Sequence, residues 1–188
     1  VLFRSAVGAG AIATGSKDAV ILRELAPGSY TVDVKGTASG TGKALVELYA
    51  VNNLGISTFS AVAYQGPVGG DVGPQAVGFV LGGSDVNDVL VRSVGPALVS
   101  GGLADPRLEL FSGQNQVAAN DNWDGFPATV SAIAQVGASA LTPGSKDSAS
   151  LLRLAPGGYV ASVSAPVGAT AGQVRTEVFL LAGGTVDS

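Results

Sequence analysis

The chain contains no cysteine, no histidine and no methionine among its 188 residues. Without cysteine and histidine it has neither a thiol nucleophile nor an imidazole base, and it lacks the ligands of common zinc sites. The absence of cysteine also excludes a disulfide framework. Because methionine is missing, the chain has no initiator residue of its own, and we expect it to be a fragment of a longer protein.

Charge is also scarce. Charged residues make up 13% of the chain, the net charge is −4, and no cluster of basic residues is present, which argues against a nucleic-acid partner. No apolar run reaches about 18 residues, so we expect no membrane insertion. Hydrophobic residues make up 46% of the chain, enough for a buried core, and 28 glycines with 9 prolines predict many turns.

A duplication relates the beginning of the chain to its end. Residues 7–36 align with residues 136–165 at an offset of 129, and half of these positions are identical. After one inserted residue the match resumes near Glu47. Similarity at a fixed period is typical of tandem modules. We therefore predict that residues 1–53 are the C-terminal half of one module and that residues 54–188 form a complete second module.

The first five residues, VLFRS, resemble the in-frame translation of a sequencing adapter. We expect natural sequence to begin near Ala6. The alternative is that these residues are the natural end of a strand. The strands of the half module are expected either to lie on a neighbour or to stay partly open.

Short alternating or β-branched segments between turn residues predict an all-β protein. Many such strands are typical of a sandwich, here one of Greek-key or jelly-roll-like topology. Residues 128–136 are the one predicted helix. The predicted strands of the complete module lie at 57–64, 76–82, 88–94, 107–112, 115–119, 149–154, 159–164 and 174–182, and those of the half module lie at 19–22, 30–34 and 44–49.

Each copy contains the sequence Leu-Ala-Pro-Gly-x-Tyr. Proline suits the second position of a tight turn and glycine the third, where a type II turn needs a positive φ. A tyrosine directly after such a turn can return its hydroxyl to the upstream backbone, as in the tyrosine corner of Greek-key sandwiches. Ligand stacking by these tyrosines is the alternative. The predicted corner residues are Pro27, Gly28, Tyr30, Pro156, Gly157 and Tyr159.

The densest polar cluster lies at residues 120–125 and contains the only tryptophan. Oxygen-bearing side chains at alternate positions before a glycine resemble the start of a calcium loop, but Ser131 stands where an EF-hand has its bidentate glutamate. The alternative is an asparagine-rich turn that satisfies its own backbone, with the tryptophan in the core. The candidate calcium ligands are Asn120, Asp121, Asn122 and Asp124, with help from Asp71, Asp85 or Asp88, and the candidate sugar-stacking residue is Trp123.

The sequence Gly-Ser-Lys-Asp occurs at residues 15–18 and again at residues 144–147. It suits a phosphate in isolation, but a Walker loop needs a longer glycine-rich sequence between a strand and a helix. Both copies precede predicted strands instead. We expect a turn that carries a lysine–aspartate pair at the surface, worth less than about 1 kcal/mol.

Three charged residues fall on apolar or alternating strands. Arg92 follows Val91 on an apolar strand, and Glu47 and Glu177 occupy matching positions in the two copies. The pattern leaves two possibilities open, a buried arginine–glutamate pair across the sandwich or side chains that face water. Neither possibility implies catalysis.

Several longer motifs together resemble a known module. They are GFVL from residue 78, VLVRSVGPAL from residue 89, LADPRLELF from residue 103 and NDNW from residue 120. The set resembles a tandem repeat module of large secreted and surface proteins of environmental bacteria, a resemblance that implies no activity. A weaker resemblance is to the pre-peptidase C-terminal modules of secreted hydrolases, some of which bind calcium or polymeric substrates.

These features predict a non-catalytic structural or adhesive repeat module of an extracellular or cell-surface protein. Its expected partners are neighbouring repeats, and extracellular polysaccharide or another surface protein. The alternative is a calcium- or polysaccharide-binding accessory module of a secreted hydrolase. We expect no cofactor, with calcium as the one alternative. We expect no enzyme activity, because most acidic residues fall in predicted turns and few aromatic residues are available to shape a substrate site.

Overall fold

The computed structural model describes residues 10–38, 40, 42–50 and 59–181. The chain divides into two units, Val1–Thr58 and Phe59–Ser188. The residues expected to be artefactual, 1–5, lie outside the described residues.

The second unit consists of two antiparallel sheets of four strands each. The strand predicted at 57–64 begins at Ala61, where its ladder to the last strand begins, and residues 57–58 lie outside the described part. The strands are β1 (Ala61–Val68), β2 (Gln75–Leu81), β3 (Asn87–Val94), β4 (Arg107–Ser112), β5 (Asn115–Asn120), β6 (Ser148–Leu154), β7 (Gly157–Ser164) and β8 (Gly172–Leu180), and the helix α1 is Pro127–Gln135.

The strand order is that of a jelly roll. The first sheet has the order β1-β8-β3-β6 and the second has the order β2-β7-β4-β5. The pairs β1–β8, β2–β7, β3–β6 and β4–β5 are those of a long hairpin rolled into two layers. The predicted sandwich is confirmed. Strands β6, β7 and β8 pair with β1 to β4 and never with one another.

The second unit has two apolar cores because β3 is buried on both faces. Val89 and Val91 point into the core between the sheets. Leu90 and Val94 point to the opposite face of the first sheet, where α1 and its flanking segments form a second core. Successive side chains of a strand alternate between faces, so a continuous apolar run here indicates cover on both sides.

Helix α1 closes this second core. Pro127 occupies the start of the helix, where its missing N–H costs nothing. Asp124 Oδ1 accepts a hydrogen bond of 3.1 Å from the Phe126 N–H, which holds the chain where it enters the helix. The buried face presents Ala132 and Ile133 to the sheet. No helix in the described part of the chain is long and apolar enough to span a bilayer.

The first unit has no strand among its described residues, so the predictions at 19–22, 30–34 and 44–49 are wrong. These segments correspond in sequence to β6, β7 and β8. Because those three strands pair only with strands from the first half of the module, the corresponding segments have no partners among themselves. A strand cannot form without a neighbour for its backbone groups.

The duplicated residues differ in burial for the same reason. Tyr159 is 8% exposed, whereas its counterpart Tyr30 is 57% exposed. Val163 is fully buried, whereas Val34 is 56% exposed. Corresponding side chains are therefore buried in the core of the second unit and exposed in the first.

Trypsin should distinguish the two units. We expect rapid cleavage in the first unit, because proteases need exposed backbone that is not held in a sheet. A product that begins at Ala44 should persist, and cleavage in β3 should be slow. A mass-spectrometric time course would show this, and equal resistance of both units would contradict the account. The susceptible sites are Lys17, Arg23, Lys35 and Lys43.

Candidate functional site

A fully buried aspartate, Asp147, joins several loops of the second unit. Its Oδ1 accepts hydrogen bonds from the Gly95 N–H at 2.9 Å and the Ala97 N–H at 3.3 Å. Its Oδ2 accepts one from Ser145 Oγ at 2.7 Å. Its backbone oxygen accepts one from the Trp123 N–H at 2.8 Å. One residue thus ties the turns after β3 and β5 to the start of β6.

The prediction of a lysine–aspartate surface pair within residues 144–147 is wrong. Asp147 turns inward, and Lys146 instead pairs with Asp105 from the loop before β4. The hydrogen bond and the charge of Asp105 raise the pKa of Lys146 above its ordinary value, although partial desolvation opposes the shift. The recurrence of the motif in both copies was the available signal, but it did not reveal which residue is buried.

Two more polar residues extend this network. Ser148 Oγ lies 2.6 Å from the Pro106 oxygen and 3.0 Å from the Asn120 oxygen. Asn120 Oδ1 accepts a hydrogen bond of 3.0 Å from the Ala149 N–H, and its Nδ2 donates one of 3.3 Å to the Asn122 oxygen. The side chains of Asp147, Ser148 and Asn120 therefore bind backbone groups of their own unit.

Two of the four candidate calcium ligands are already engaged by backbone N–H groups. The side-chain oxygens of Asn120 and Asp124 accept backbone hydrogen bonds, and Asp121 and Asn122 are exposed. The more distant candidate Asp88 faces Arg153 at 3.5 Å. Among the described residues, no group of three or more acidic side chains is placed to hold a metal ion.

Trp123 is a core residue. It is 3% exposed and packs with Leu90, Ile133 and Leu141 in the core under α1. Its Nε1 donates a hydrogen bond of 2.7 Å to the Thr142 oxygen, which satisfies the polar end of a buried indole. The structure therefore corrects the sugar-stacking prediction, because the ring presents no open face.

Both tyrosines predicted to form corners return their hydroxyls to the backbone. Tyr159 Oη donates to the Ala155 oxygen at 2.9 Å, and Tyr30 Oη donates to the Ala26 oxygen at 2.8 Å. The turn itself is not type II, since such a turn needs φ near about +80° and Gly157 has φ 154°. This contact spans four residues, so it forms even where the sheets do not.

A buried ion pair lies on the helix-covered face of the first sheet. Arg92 is 1% exposed, and its Nε lies 2.6 Å from Glu177 Oε2. Its Nη1 donates to the Ser139 oxygen at 2.5 Å, and its guanidinium lies 5.7 Å from the centre of the Phe179 ring. Arg92 and Glu177 are directly opposed on neighbouring strands of one sheet. One of the two expectations was a buried arginine–glutamate pair across the sandwich. The pair is buried, but it lies within one sheet.

Glycines allow the motif loops to approach one another closely. A Cβ atom on Gly102 would overlap the oxygen of Gly95, and one on Gly172 would lie 2.6 Å from the nitrogen of Leu103. These loops also border a shallow groove of about 450 Å³ between residues 102–105 and 166–171. Its charged lining groups are Asp105 and Lys146, which already pair with each other.

The similarity of this chain to known proteins is limited to its fold. No protein-family model matches the chain, and no curated protein matches it. Among solved structures, it is similar to the pre-peptidase C-terminal domain of collagenase from Bacillus anthracis, with 12% sequence identity and a TM-score of 0.41 over 62% of this chain and 87% of that one. That domain is of the type named for the weaker resemblance, whereas the tandem-module resemblance is not confirmed. The strand order of the two sheets defines the jelly-roll sandwich of the second unit.

Replacing Asp147 by alanine should destabilise the second unit by about 3 kcal/mol, because it leaves buried backbone N–H groups without acceptors. Asp18 is the matched control, since it occupies the same motif in the first unit and is exposed. Asp18→Ala should change stability by less than about 0.5 kcal/mol. Urea unfolding followed by Trp123 fluorescence reports on the second unit, and equal effects of the two substitutions would contradict the role assigned to Asp147.

Proposed function

We propose that the second unit is a non-catalytic structural or adhesive module of an extracellular or cell-surface protein. The proposal is supported by the hydrogen bonds that the polar side chains of this unit make. Asp147, Asn120 and Ser148 all bind backbone groups of the same unit. Their side chains therefore stabilise the loops of the sandwich and are not directed at a substrate.

The charged residues support the same proposal. Arg92 is neutralised by Glu177 in the core, and Lys146 pairs with Asp105 at the surface. A general acid or base must reach a substrate proton in a cleft. The groove beside Asp105 offers an ion pair among small side chains instead.

The proposed partners are neighbouring modules of the same kind, and extracellular polysaccharide or another surface protein. Sequence duplication supports the first of these, because two related modules would occur in series. A contact that is weak in one module gains strength when several copies act together. Such a module would act as a spacer or as one element of a multivalent adhesin.

Calcium binding is the competing function, and thermal unfolding of the full chain tests it. Extracellular modules bind calcium with dissociation constants of about 0.1–1 mM. At about 100 times the dissociation constant a bound ion adds about 2.7 kcal/mol, which raises the melting temperature of a domain of this size by several degrees. We expect the melting curves in calcium and in chelator to coincide.

Asp121→Ala is the control variant, since Asp121 is an exposed carboxylate of the candidate loop. A calcium-dependent rise that disappears in this variant would overturn the structural proposal and establish a calcium-binding module. Coincident curves in both proteins would support it.

A further inference from the structure

We propose that residues 10–38 and 42–50 are a docking surface for a polypeptide segment of the β1–β5 type, that is, one with the sequence pattern of residues 59–135. On that segment they would fold as the second half of a jelly roll. The inference goes beyond the function proposed above, because it concerns the first unit and names its partner.

The pairing of the second unit supports this partner. The segments of residues 10–50 correspond to β6, β7 and β8, and each of those strands is hydrogen-bonded only to strands among β1 to β4. The first unit therefore carries three strand sequences without any of the strands that they would pair with. A segment of the β1–β5 type supplies all of these neighbours in the right order.

The first unit already has the local contacts of the folded module. A serine in the Gly-Ser-Lys-Asp motif donates to the aspartate in both copies, at 2.8 Å in the first unit and 2.7 Å in the second. Both tyrosine corners are also formed. The matching local pairs are Ser16–Asp18 with Ser145–Asp147, and Tyr30–Ala26 with Tyr159–Ala155. The two units differ instead in the contacts between residues that are distant in sequence.

An ion pair between distant residues of the second unit indicates which charge the partner of the first unit must have. Glu177 faces Arg92, which lies on β3. Its counterpart Glu47 instead accepts a hydrogen bond of 3.0 Å from Tyr49 Oη, and this carboxylate raises the pKa of Tyr49 above its ordinary value. A partner with an arginine at the position of Arg92 would neutralise Glu47. The same partner would offer backbone N–H groups to Asp18, as Gly95 does to Asp147.

The apolar surface fits the same occupant. Leu25, Tyr30 and Val34 are more than half exposed in the first unit. Their counterparts Leu154, Tyr159 and Val163 belong to the core between the two sheets. Unpaired strand sequences with exposed apolar side chains favour association with other strands.

A second copy of this chain is a poor occupant. Its own residues 59–135 already pair with its own β6, β7 and β8. Each chain holds two segments of the β6–β8 type and one of the β1–β5 type, so exchange between copies always leaves one segment unpaired. The occupant is therefore an additional segment of the β1–β5 type.

Replacing residues 1–6 of the chain by residues 54–135 provides such a segment, joined directly to Val7. The junction of Gln135 to Val7 reproduces the natural junction of Gln135 to Val136. Amide hydrogen exchange, measured by mass spectrometry, would compare residues 19–50 in the extended and the unmodified chain. We expect exchange there to slow by about 100-fold or more in the extended chain, since strand pairing protects amides.

Two substitutions in the extended chain test the charge complementarity. Glu47→Gln should speed exchange at residues 44–50 by about 10-fold. Glu24→Gln removes the same charge from the same unit. Its counterpart Arg153 is exposed and faces Asp88, so the loss of a negative charge at Glu24 should not speed the exchange. Protection of β6 and β8, whose sequences occur only once in the extended chain, shows that the second unit is folded.

Either of two results would overturn the proposal. One is equal exchange of residues 19–50 in the extended and unmodified chains while the second unit stays protected. The other is an equal response to Glu47→Gln and Glu24→Gln.

Discussion

A buried carboxylate needs hydrogen-bond donors, because leaving it without them inside a protein costs several kcal/mol. Asp147 takes its donors from Gly95, Ala97 and Ser145. Its backbone oxygen also accepts a hydrogen bond from the N–H of Trp123, whose side chain is buried in the core under α1. The loops of the second unit are therefore held together from within, and the aspartate of the Gly-Ser-Lys-Asp motif stabilises the fold.

The second constraint is the jelly-roll order of the second unit, in which β6, β7 and β8 pair only with strands among β1 to β4. Strand β6 lies beside β3, and β8 lies between β1 and β3. The partners of these three strands are thus far apart from them in sequence, and the segment from β6 to β8 has no ladder of its own. This explains why duplicated sequence forms strands in the second unit and no strand among the described residues of the first.

The sequence predicted the eight strands, the helix and the sandwich of the second unit, because alternation and turn residues are local signals. Prediction from the sequence failed where strand formation or burial depends on residues that are distant in the chain. Residues 19–22 have strand-forming composition but no neighbour to pair with. The Arg92–Glu177 pair was one of two open possibilities, and only the register between β3 and β8 places it within one sheet. The burial of Asp147 depends on a loop about fifty residues away.

The most direct test of the account is hydrogen exchange at single amides, measured by NMR on the full chain. If Asp147 holds the loops closed, the Gly95 and Trp123 amides should exchange only when the whole second unit unfolds, with the same opening free energy as amides in β3. Exchange of the Gly95 amide at the rate of an exposed loop, while β3 stays protected, would contradict the central role of Asp147.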